Sequence, residues 1–513
     1  MQADLTSPVA QTPSESAGLW ITRLAGKRVL AIAAFLIGAA VVLADRPFTH
    51  TEAGDSSIFD YIAQSIVRGQ LPYRDVIDPK GPGSMYLSAA AMALGSAAGV
   101  RDIIAVRWLH IALMGLLTAL TFLVAEEYFR DRRAAFLAPL IPLMTGSFSS
   151  QMIRGTQPKL PMVLFGVLSL LLIAKDQPFL AGFFSMLSCL CWQPGLMFTG
   201  VAVLIHSRYL TSWRDLRALK TMFGAATPLA VVILYFYSQS ALTDLWSWTV
   251  VYPYTVFAPE TSMPVGETFD TFRTVLQREL QPVAIIAPLA LIGLVIYVAR
   301  RARGYKSGER LRATDLFKDA IVLPPLIYLV FCMINFQGAP DLIPFYPFIG
   351  LFVAWLIIEA DRLTARKWSK LASLLPLAAT IAAAFLIVIE HAPNTPREST
   401  LQDQDREAQI VASYLGPDDK IYEHGMGEVL VLLNKPNLNK YLALNSGADN
   451  YIAARNPGGF HDVIDELEKH APKIVVMTRL RNVRHAEDLR EWVEQHYDKL
   501  DLAHLKGVHI RRQ

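Results

Sequence analysis

The sequence predicts a polytopic, mostly helical membrane protein of about eleven transmembrane helices, with a small C-terminal α/β domain outside the membrane. Of its 513 residues, 53% are hydrophobic and only 18% are charged, which is too apolar for an ordinary soluble enzyme. The apolar residues gather in runs of roughly 15 to 20, the length that crosses a bilayer core of about 30 Å. After Glu390 the composition shifts toward charged residues, which indicates a separate extramembrane domain.

Eleven apolar runs are candidate spans. They are residues 29–44, 103–125, 134–148, 160–174, 179–192, 194–205, 222–237, 282–299, 320–334, 343–359 and 371–389. The first follows a polar tail of more than twenty residues, longer than the n-region of a typical signal peptide. We therefore expect an uncleaved first helix, with residues 1–28 as a cytoplasmic tail and residues 29–390 as the transmembrane domain.

The distribution of Lys and Arg predicts the orientation. With a cytoplasmic N-terminus, the basic loops 130–133, 208–220, 300–318 and 362–370 all lie on the cytoplasmic side. Two segments leave the number of spans ambiguous. If 81–100 were a span, or if 179–205 were a single span, the basic loops that follow would lie on the outer side of the membrane. We therefore expect 81–100 to be a juxtamembrane or re-entrant helix, and the Gln-Pro-Gly at 193–195 to separate two short helices.

Residues 391–513 then lie outside and have the pattern of a small α/β domain. Strands are expected at 420–423 and 473–478, helices at 460–470 and 486–497, and a closing hairpin through 508–511. Gly425 and Gly427 indicate a turn rather than a phosphate-binding loop. His424 beside Glu423 does not make a catalytic arrangement, so an accessory or acceptor-docking role is favoured over a second active site.

The first outer loop, residues 45–102, is unusually polar for a membrane protein. Carboxylates and cations concentrated at a membrane surface are the expected setting for chemistry on a charged lipid substrate. Its features follow in order: an acidic residue after the first helix, Tyr-Ile-Ala-Gln at 61–64, Pro-Tyr-Arg-Asp at 72–75 and Asp-Pro-Lys-Gly-Pro at 78–82.

This order resembles the first periplasmic loop of the GT-C glycosyltransferases, in particular the protein O-mannosyltransferase and aminoarabinose-transferase (ArnT-like, glycosyltransferase family 39-like) branch. Weaker similarities extend over the membrane part. They include Arg107, Gly-Thr-Gln-Pro at 155–158, Gln193-Pro194 and the segment from Gln337 to Tyr346.

The resemblance implies an inverting transfer of a hexose or pentose from a polyprenyl-phosphate donor to an envelope acceptor on the periplasmic face. Asp55 matches the position of the general base, and Lys80 that of a cation which stabilises the leaving phosphate. Further candidates for the donor phosphate are Arg74, Arg107 and Arg154. Candidate substrate contacts are Glu52, Tyr61, Tyr73, Asp78, Gln193, Gln337 and Tyr346.

No cofactor is required by this chemistry. A divalent metal stays open, because Asp55 is followed by Ser56 where relatives often have a second acid, and Gln157 stands where they often have another. Cys189 and Cys191 are two residues apart, point to different faces of a helix and have no neighbouring ligand, so they do not predict a metal site.

Each candidate also has a structural explanation. Asp55 could be a helix N-cap, and Lys80 could reach lipid headgroups. Arg107 lies inside an apolar span and needs a partner, either a substrate phosphate or Asp102 or a headgroup. Arg154 and Lys159 lie on an outer loop against the charge bias, which favours a role in binding an anion.

Three other groups of residues are left with two readings. The aromatic residues of the outer loop between 237 and 282 favour a membrane interface over a sugar-binding surface. His110 favours packing over catalysis. Gln337, Asp341 and Tyr346 could contact carrier or acceptor, or could cap and turn the chain.

Alternative functions share the same membrane setting. A lipid-linked polysaccharide ligase would have the same substrate class and location. A transporter or flippase of lipid-linked sugars would show repeated halves, which are not found here, and a scaffold would tolerate loss of Asp55 and Lys80. The expected partners are the polyprenyl-phosphate donor, a lipid, polysaccharide or protein acceptor and the bilayer, without nucleic acid. The expected location is a bacterial inner membrane, because no N-glycosylation sequon occurs.

Overall fold

The computed structural model describes residues 13–208, 215–306, 317–367, 374–392, 397–480 and 482–512. Up to Glu390 the described chain is helical, with short 3-10 and π-helical turns between the helices. The helices are α1 (Pro13–Ala44), α2 (Asp55–Val67), α3 (Pro82–Ala97), α4 (Asp102–Phe129), α5 (Arg132–Leu143), α6 (Gly146–Ser150), α7 (Lys159–Ala174), α8 (Pro178–Cys191), α9 (Leu196–Arg208), α10 (Arg217–Ser238), α11 (Leu242–Trp246), α12 (Ala258–Thr261), α13 (Val265–Glu279), α14 (Ile286–Lys306), α15 (Leu323–Ile334), α16 (Tyr346–Lys367) and α17 (Leu374–Glu390).

Every one of the eleven apolar runs lies largely on a helix, and the chain is a multi-pass membrane protein. By length and hydropathy, five helical stretches of the described chain are fit to cross a bilayer unaided. These are Gly26–Thr49, Asp102–Phe129, Arg217–Ser238, Phe317–Ile334 and Ala339–Thr364. Helices α7, α8 and α17 are apolar but shorter. Helix length alone therefore does not establish the number of spans as eleven, because several of the helices are shorter than a full bilayer thickness.

Both ambiguous segments contain the helices expected from the sequence. Residues 81–100 contain α3, and residues 179–205 divide into α8 and α9 at a 3-10 turn, Gln193–Gly195. The start of α3 packs closely on the end of α8. A Cβ at Gly81 would lie 2.2 Å from the carbonyl oxygen of Leu190, so only glycine allows this approach.

Helix α4 lies at the centre of the bundle, where it packs against α1, α3, α5 and α7. Small residues allow its contact with α1. A Cβ at Gly38 would collide with Thr118, and one at Gly115 with Phe35. Membrane helices usually gain packing energy by close backbone approach at small residues. The hydrophobic effect does not drive them together, because lipid is as apolar as their side chains.

The described part of the C-terminal domain contains a four-stranded mixed sheet and five helices. The helices are α18 (Leu401–Ser413), α19 (Glu428–Leu433), α20 (Ala448–Ala453), α21 (His461–His470) and α22 (Ala486–His496), and the strands are β1 (Ile421–His424), β2 (Ile474–Met477), β3 (Tyr497–Lys499) and β4 (Val508–Arg511). The strand order is β1-β2-β4-β3, in which β1 and β2 are parallel and the other neighbours antiparallel. The predicted strands, helices and closing hairpin are thus confirmed; helices α18, α19 and α20 were not predicted.

This domain packs directly on the first loop. Apolar side chains of α2, among them Ile58 and Ile62, share one buried cluster with Leu430 and Ile474 of the C-terminal domain. A second cluster joins Tyr73 of the first loop, Trp248 and Tyr252 after α11, and Tyr451 of α20. Trp248 and Tyr252 therefore pack against protein rather than against lipid, which corrects the interface interpretation for these two rings. Trp246 and Tyr254 are exposed.

Candidate active site

Asp55 is the first residue of α2, and its carboxylate is not a helix cap. The N-cap position belongs to Gly54, at a φ of 70°, and no side chain caps the helix. Instead, Oδ1 of Asp55 accepts a hydrogen bond from Nη1 of Arg479 at 2.6 Å. The N-cap interpretation of Asp55 is therefore wrong, and the carboxylate is left at the surface with 56% of its side chain exposed.

The charges around Asp55 favour its ionised form. Partial burial raises the pKa of this carboxyl, but the positive charges of Lys80, Arg479 and Lys159 outweigh that effect and hold it below its usual value. An ionised, accessible carboxylate flanked by cations can accept a proton from a hydroxyl group and tolerates an anion beside it.

Lys80 is near enough to Asp55 for its charge to lower the pKa of that carboxyl, and it packs on Phe59 of the same helix. Asp55 and Phe59 are four residues apart on α2 and share one face of the helix. The Nζ of Lys80 lies 4.5 Å from the centroid of the Phe59 ring. Only 24% of the side chain is exposed, so the ammonium group packs on the loop helix instead of extending away from the protein.

Three residues predicted to contact substrate hold the Lys80 turn. The Tyr73 hydroxyl donates to the backbone oxygen of Lys80 at 2.7 Å, and the Lys80 N–H donates to Asp78 Oδ1 at 2.9 Å. The Gln193 amide donates to the oxygen of Pro79 at 2.6 Å. Tyr73 is fully buried. These three side chains therefore support the backbone around Lys80, and their expected contact with substrate stays a prediction.

The charge of Lys80 is only partly neutralised. Its Nζ is 3.9 Å from Asp78 Oδ2, too long for a direct hydrogen bond. Burial raises the pKa of Asp78, and the Lys80 ammonium offsets part of that rise. No carboxylate among the described contacts of Lys80 lies within hydrogen-bond distance, so its ammonium group remains able to bind another anion.

Lys159, at the start of α7, is a second cation near Asp55. Its Nζ lies 2.7 Å from Asp341 Oδ1 and 4.5 Å from the centroid of the Trp192 ring. Asp341 also accepts the N–H of Gln337 at 2.6 Å. Asp341 is thus a buried counter-ion and a turn residue. Its charge explains why Lys159 is found on a loop that was expected to be outer, where basic residues are otherwise scarce.

Arg107 has a protein partner that the sequence did not indicate. Its Nη2 donates to Glu52 Oε1 at 2.7 Å and its Nη1 to the oxygen of Pro47 at 2.8 Å. Both charged side chains are 0% exposed. The partner is therefore Glu52 rather than Asp102 or a phosphate, and neither Glu52 nor Arg107 is placed to contact a substrate.

Of the remaining candidates, Arg74, Tyr61 and Tyr346 already have partners in the protein or are buried. Arg74 pairs with its neighbour Asp75 and donates to Gln239, and the Tyr61 hydroxyl accepts the N–H of Asn437. Tyr346 is 1% exposed and packs on Phe148, so it is not a substrate contact in this structure. Arg154 and Gln337 are exposed.

The Gly-Thr-Gln-Pro segment before α7 is held by two buried side chains. Asp60 accepts the N–H of Thr156 at 3.0 Å, and Nε2 of His110 accepts the N–H of Gln157 at 2.9 Å. This supports the packing interpretation of His110. Burial raises the pKa of Asp60 well above its usual value, although Thr156 opposes the rise.

Among the residues that the structure describes, no cluster of three His, Cys, Asp or Glu side chains could hold a metal ion. Cys189 and Cys191 are free thiols. The site as described therefore consists of one exposed carboxylate, Asp55, with Lys80, Lys159 and Arg479 around it. Sequence reasoning missed Arg479, because it lies 424 residues from Asp55 and no local pattern connects the two.

Comparison with known proteins agrees with this fold. Residues 69–235 match the family described as DolP-mannose mannosyltransferase, a range that includes Lys80 and Lys159 but not Asp55. A curated relative from Haloferax volcanii, a dolichol phosphate-mannose mannosyltransferase, is 24% identical over 243 residues. That alignment spans 47% of this chain and only half of the relative.

Two solved structures are similar over most of the chain. ArnT from Cupriavidus metallidurans, bound to undecaprenyl phosphate, superposes with a TM-score of 0.61 at 12% identity and covers 96% of this chain and 98% of ArnT. The oligosaccharyltransferase AglB from Archaeoglobus fulgidus, in complex with an inhibitory peptide and a dolichol-phosphate, gives 0.52 at 13% identity, covering 88% of this chain and 69% of AglB. The chain therefore has the fold of the GT-C membrane glycosyltransferases, as its first loop predicted.

Proposed function

We propose that this protein is an inverting glycosyltransferase that moves mannose from a polyprenyl- or dolichyl-phosphate donor to an acceptor outside the membrane. The observation that carries the proposal is that the first loop holds an exposed carboxylate, Asp55, and the fixed cation Lys80, near enough for the charge of Lys80 to lower the pKa of Asp55. The match of residues 69–235 to a mannosyltransferase family supports mannose as the sugar.

The chemistry assigns one role to each group. The acceptor hydroxyl attacks the anomeric carbon, its proton passes to Asp55, and the bond from that carbon to the phosphate oxygen breaks. Polyprenyl phosphate leaves with the bonding electrons. Lys80 stabilises the negative charge that grows on this phosphate. A single displacement inverts the configuration at the anomeric carbon.

The contact between the first loop and the C-terminal domain supports the proposed topology. Because Asp55 touches Arg479, and Tyr61 touches Asn437, residues 45–102 and 391–513 lie on one side of the membrane. The chain must therefore cross an even number of times between them. Ten of the eleven expected spans lie between these two segments, because the first span precedes residue 45. Counting α3 as a further span, or α8 and α9 as a single span, would make the number odd.

We accordingly assign residues 1–28 to the cytoplasm, 29–390 to the membrane domain and 391–513 to the outer face of the plasma membrane. The basic loops support this orientation. The curated relative comes from an archaeon, so the bacterial inner membrane expected from the missing sequons stays a prediction.

The test is transfer of radiolabelled mannose from polyprenyl-phospho-mannose to acceptors in the membranes of the source organism. Asp55→Asn keeps the size of the side chain but removes the base, and we expect a rate about 10²–10⁴-fold lower. Asp405→Asn is the matched control, because Asp405 pairs with Arg101 and not with Asp55 or Lys80. Wild-type turnover by Asp55→Asn at normal expression would remove Asp55 from the mechanism, and no transfer by the wild type would refute the proposal.

A further inference from the structure

Arg479 is the one side chain of the described C-terminal domain that contacts Asp55. It lies two residues after the end of β2, and its φ of 52° lies in the left-handed region that residues with a Cβ rarely adopt. Its Nη1 reaches Asp55 Oδ1 at 2.6 Å, with 41% of the side chain exposed. A strained residue that points at a candidate base calls for a functional explanation.

The topology of the sheet explains why Arg479 reaches α2. Strands β1 and β2 are parallel, so the loops that follow them leave the sheet at the same edge. The loop after β1 packs on α2, since a Cβ at Gly427 would lie 3.4 Å from the Cβ of Tyr61. The loop after β2 then brings Arg479 to the N-terminal end of the same helix, where Asp55 is located.

The C-terminal domain is held rigidly enough against α2 to place this guanidinium. The Tyr61 hydroxyl accepts the N–H of Asn437 at 2.7 Å, and the Gln64 amide donates to the oxygen of Val431 at 3.0 Å. Behind Arg479, the Thr478 N–H donates to the oxygen of His424 at 2.9 Å and ties the two loops together.

Stability alone does not account for this arrangement. An ion pair between two half-exposed side chains adds little to folding, and a left-handed non-glycine residue costs free energy. The strain is understandable if the pair serves the reaction. A general base must be kept in one orientation toward its proton donor, because a misplaced carboxylate loses most of its effect.

Resting on the proposed function, we propose that Arg479 is a positioning residue which the C-terminal domain supplies to orient the carboxylate of Asp55 toward the acceptor. The domain is thus part of the catalytic site and not only a docking surface. A protein in which the sheet is displaced from α2 would keep Asp55 and Lys80 but lose the fixed orientation of the base.

The test compares Arg479→Ala, Arg479→Lys and the control Arg490→Ala in the full-length protein, with polyprenyl-phospho-mannose as donor. Arg490 pairs with Glu487 on the exposed face of α22 and controls for loss of one positive charge from the same domain. For Arg479→Ala we expect kcat to fall about tenfold or more, with the KM for donor changed less than about twofold. Arg479→Lys should restore part of kcat, and Arg490→Ala should match the wild type.

The pH profile separates positioning from a merely structural role. Arg479 lowers the pKa of Asp55, so its removal should shift the acid limb of the kcat profile to higher pH. A structural defect would lower activity at every pH without moving that limb. If Arg479→Ala does not accumulate as folded protein, the pH profile of Arg479→Lys is measured in its place, and a shift of its acid limb distinguishes positioning from a structural role in the same way.

Two outcomes distinguish this inference from the proposed function. If the wild type transfers mannose while Arg479→Ala keeps wild-type kcat and an unshifted acid limb, the inference on Arg479 is wrong and the proposed function stands. If the wild type transfers no mannose, both are wrong.

Discussion

Nη2 of Arg107 lies 2.7 Å from Oε1 of Glu52, and neither side chain is exposed to solvent. The pair joins α4 to the start of the first loop. The N–H of Glu52 is in turn bound by Gln404 Oε1 at 2.7 Å, and the Gln404 amide donates to the oxygen of Glu52 at 2.9 Å. The ion pair therefore connects the bundle, the first loop and α18 of the C-terminal domain through fully buried groups.

Arg107→Ala should destabilise the protein by about 3–5 kcal/mol, because it leaves the carboxylate of Glu52 buried without its partner. Thermal unfolding of the purified protein in detergent measures this loss. Arg101→Ala is the control, since its pair with Asp405 is about one-third exposed and should contribute less than about 1 kcal/mol. Equal stability of Arg107→Ala and Arg101→Ala would contradict the structural role of the buried pair.

Lys80→Met keeps the length of the side chain and its contact with Phe59 but removes the charge. We expect kcat/KM for the polyprenyl-phospho-mannose donor to fall about 10²–10³-fold, the usual cost of losing one group that stabilises developing negative charge. Lys80→Arg should retain part of the activity. Lys175→Met, at the opposite end of α7 from Lys159, is the control for loss of a lysine. Unchanged kinetics in Lys80→Met would show that Lys80 does not face the phosphate.

Glu423 should make the stability of the C-terminal domain depend on pH. This β1 side chain is 1% exposed, and its Oε2 accepts the N–H of Leu430 at 3.0 Å. Burial raises the pKa of Glu423 from 4.5 to about 8. The raised pKa means that the folded protein holds this proton more tightly than the unfolded chain. Its contribution to stability is thus complete below the unfolded pKa of 4.5 and is lost progressively as the pH rises through about 8.

Glu423→Gln keeps an acceptor for the Leu430 N–H and removes this ionisation. We expect the variant to become more stable than the wild type as the pH increases, with a difference that grows by at most about 1.4 kcal/mol per pH unit. Thermal unfolding of the full chain between about pH 5 and about pH 8.5 measures it. The exposed Glu487→Gln serves as the control. Parallel pH curves for the wild type and Glu423→Gln would refute the prediction.

Much of the fold could be predicted because its signals are local. Apolar runs of a given length predict helices, and the alternation of basic loops predicts which ends lie together. Each candidate span fell on a helix, and both strands of the parallel pair were found within one residue of their expected start. The first-loop pattern also predicted the GT-C fold, because its turns and charged residues are close in sequence.

The site was predicted less completely. Asp55 and Lys80 lie in the first loop, and the loop's own residues bring them together. By contrast, Glu52, Arg107 and Tyr346 were expected to meet substrate and prove to be buried, since a sequence does not show which polar side chains already have partners. Tyr73, Asp78 and Gln193 were expected at the substrate, and the structure shows only that they support the backbone around Lys80.

The sequence by itself determined the membrane character of the chain, its helices, its sheet and the pair of residues on which the proposed chemistry rests. Only the tertiary structure decided that Glu52 neutralises Arg107, that Asp341 neutralises Lys159 and that Arg479 contacts Asp55. The physical reason is that periodicity and composition act over a few turns of chain. A charge deep in a protein is instead satisfied by whichever opposite charge the folded chain brings to it, however distant in sequence.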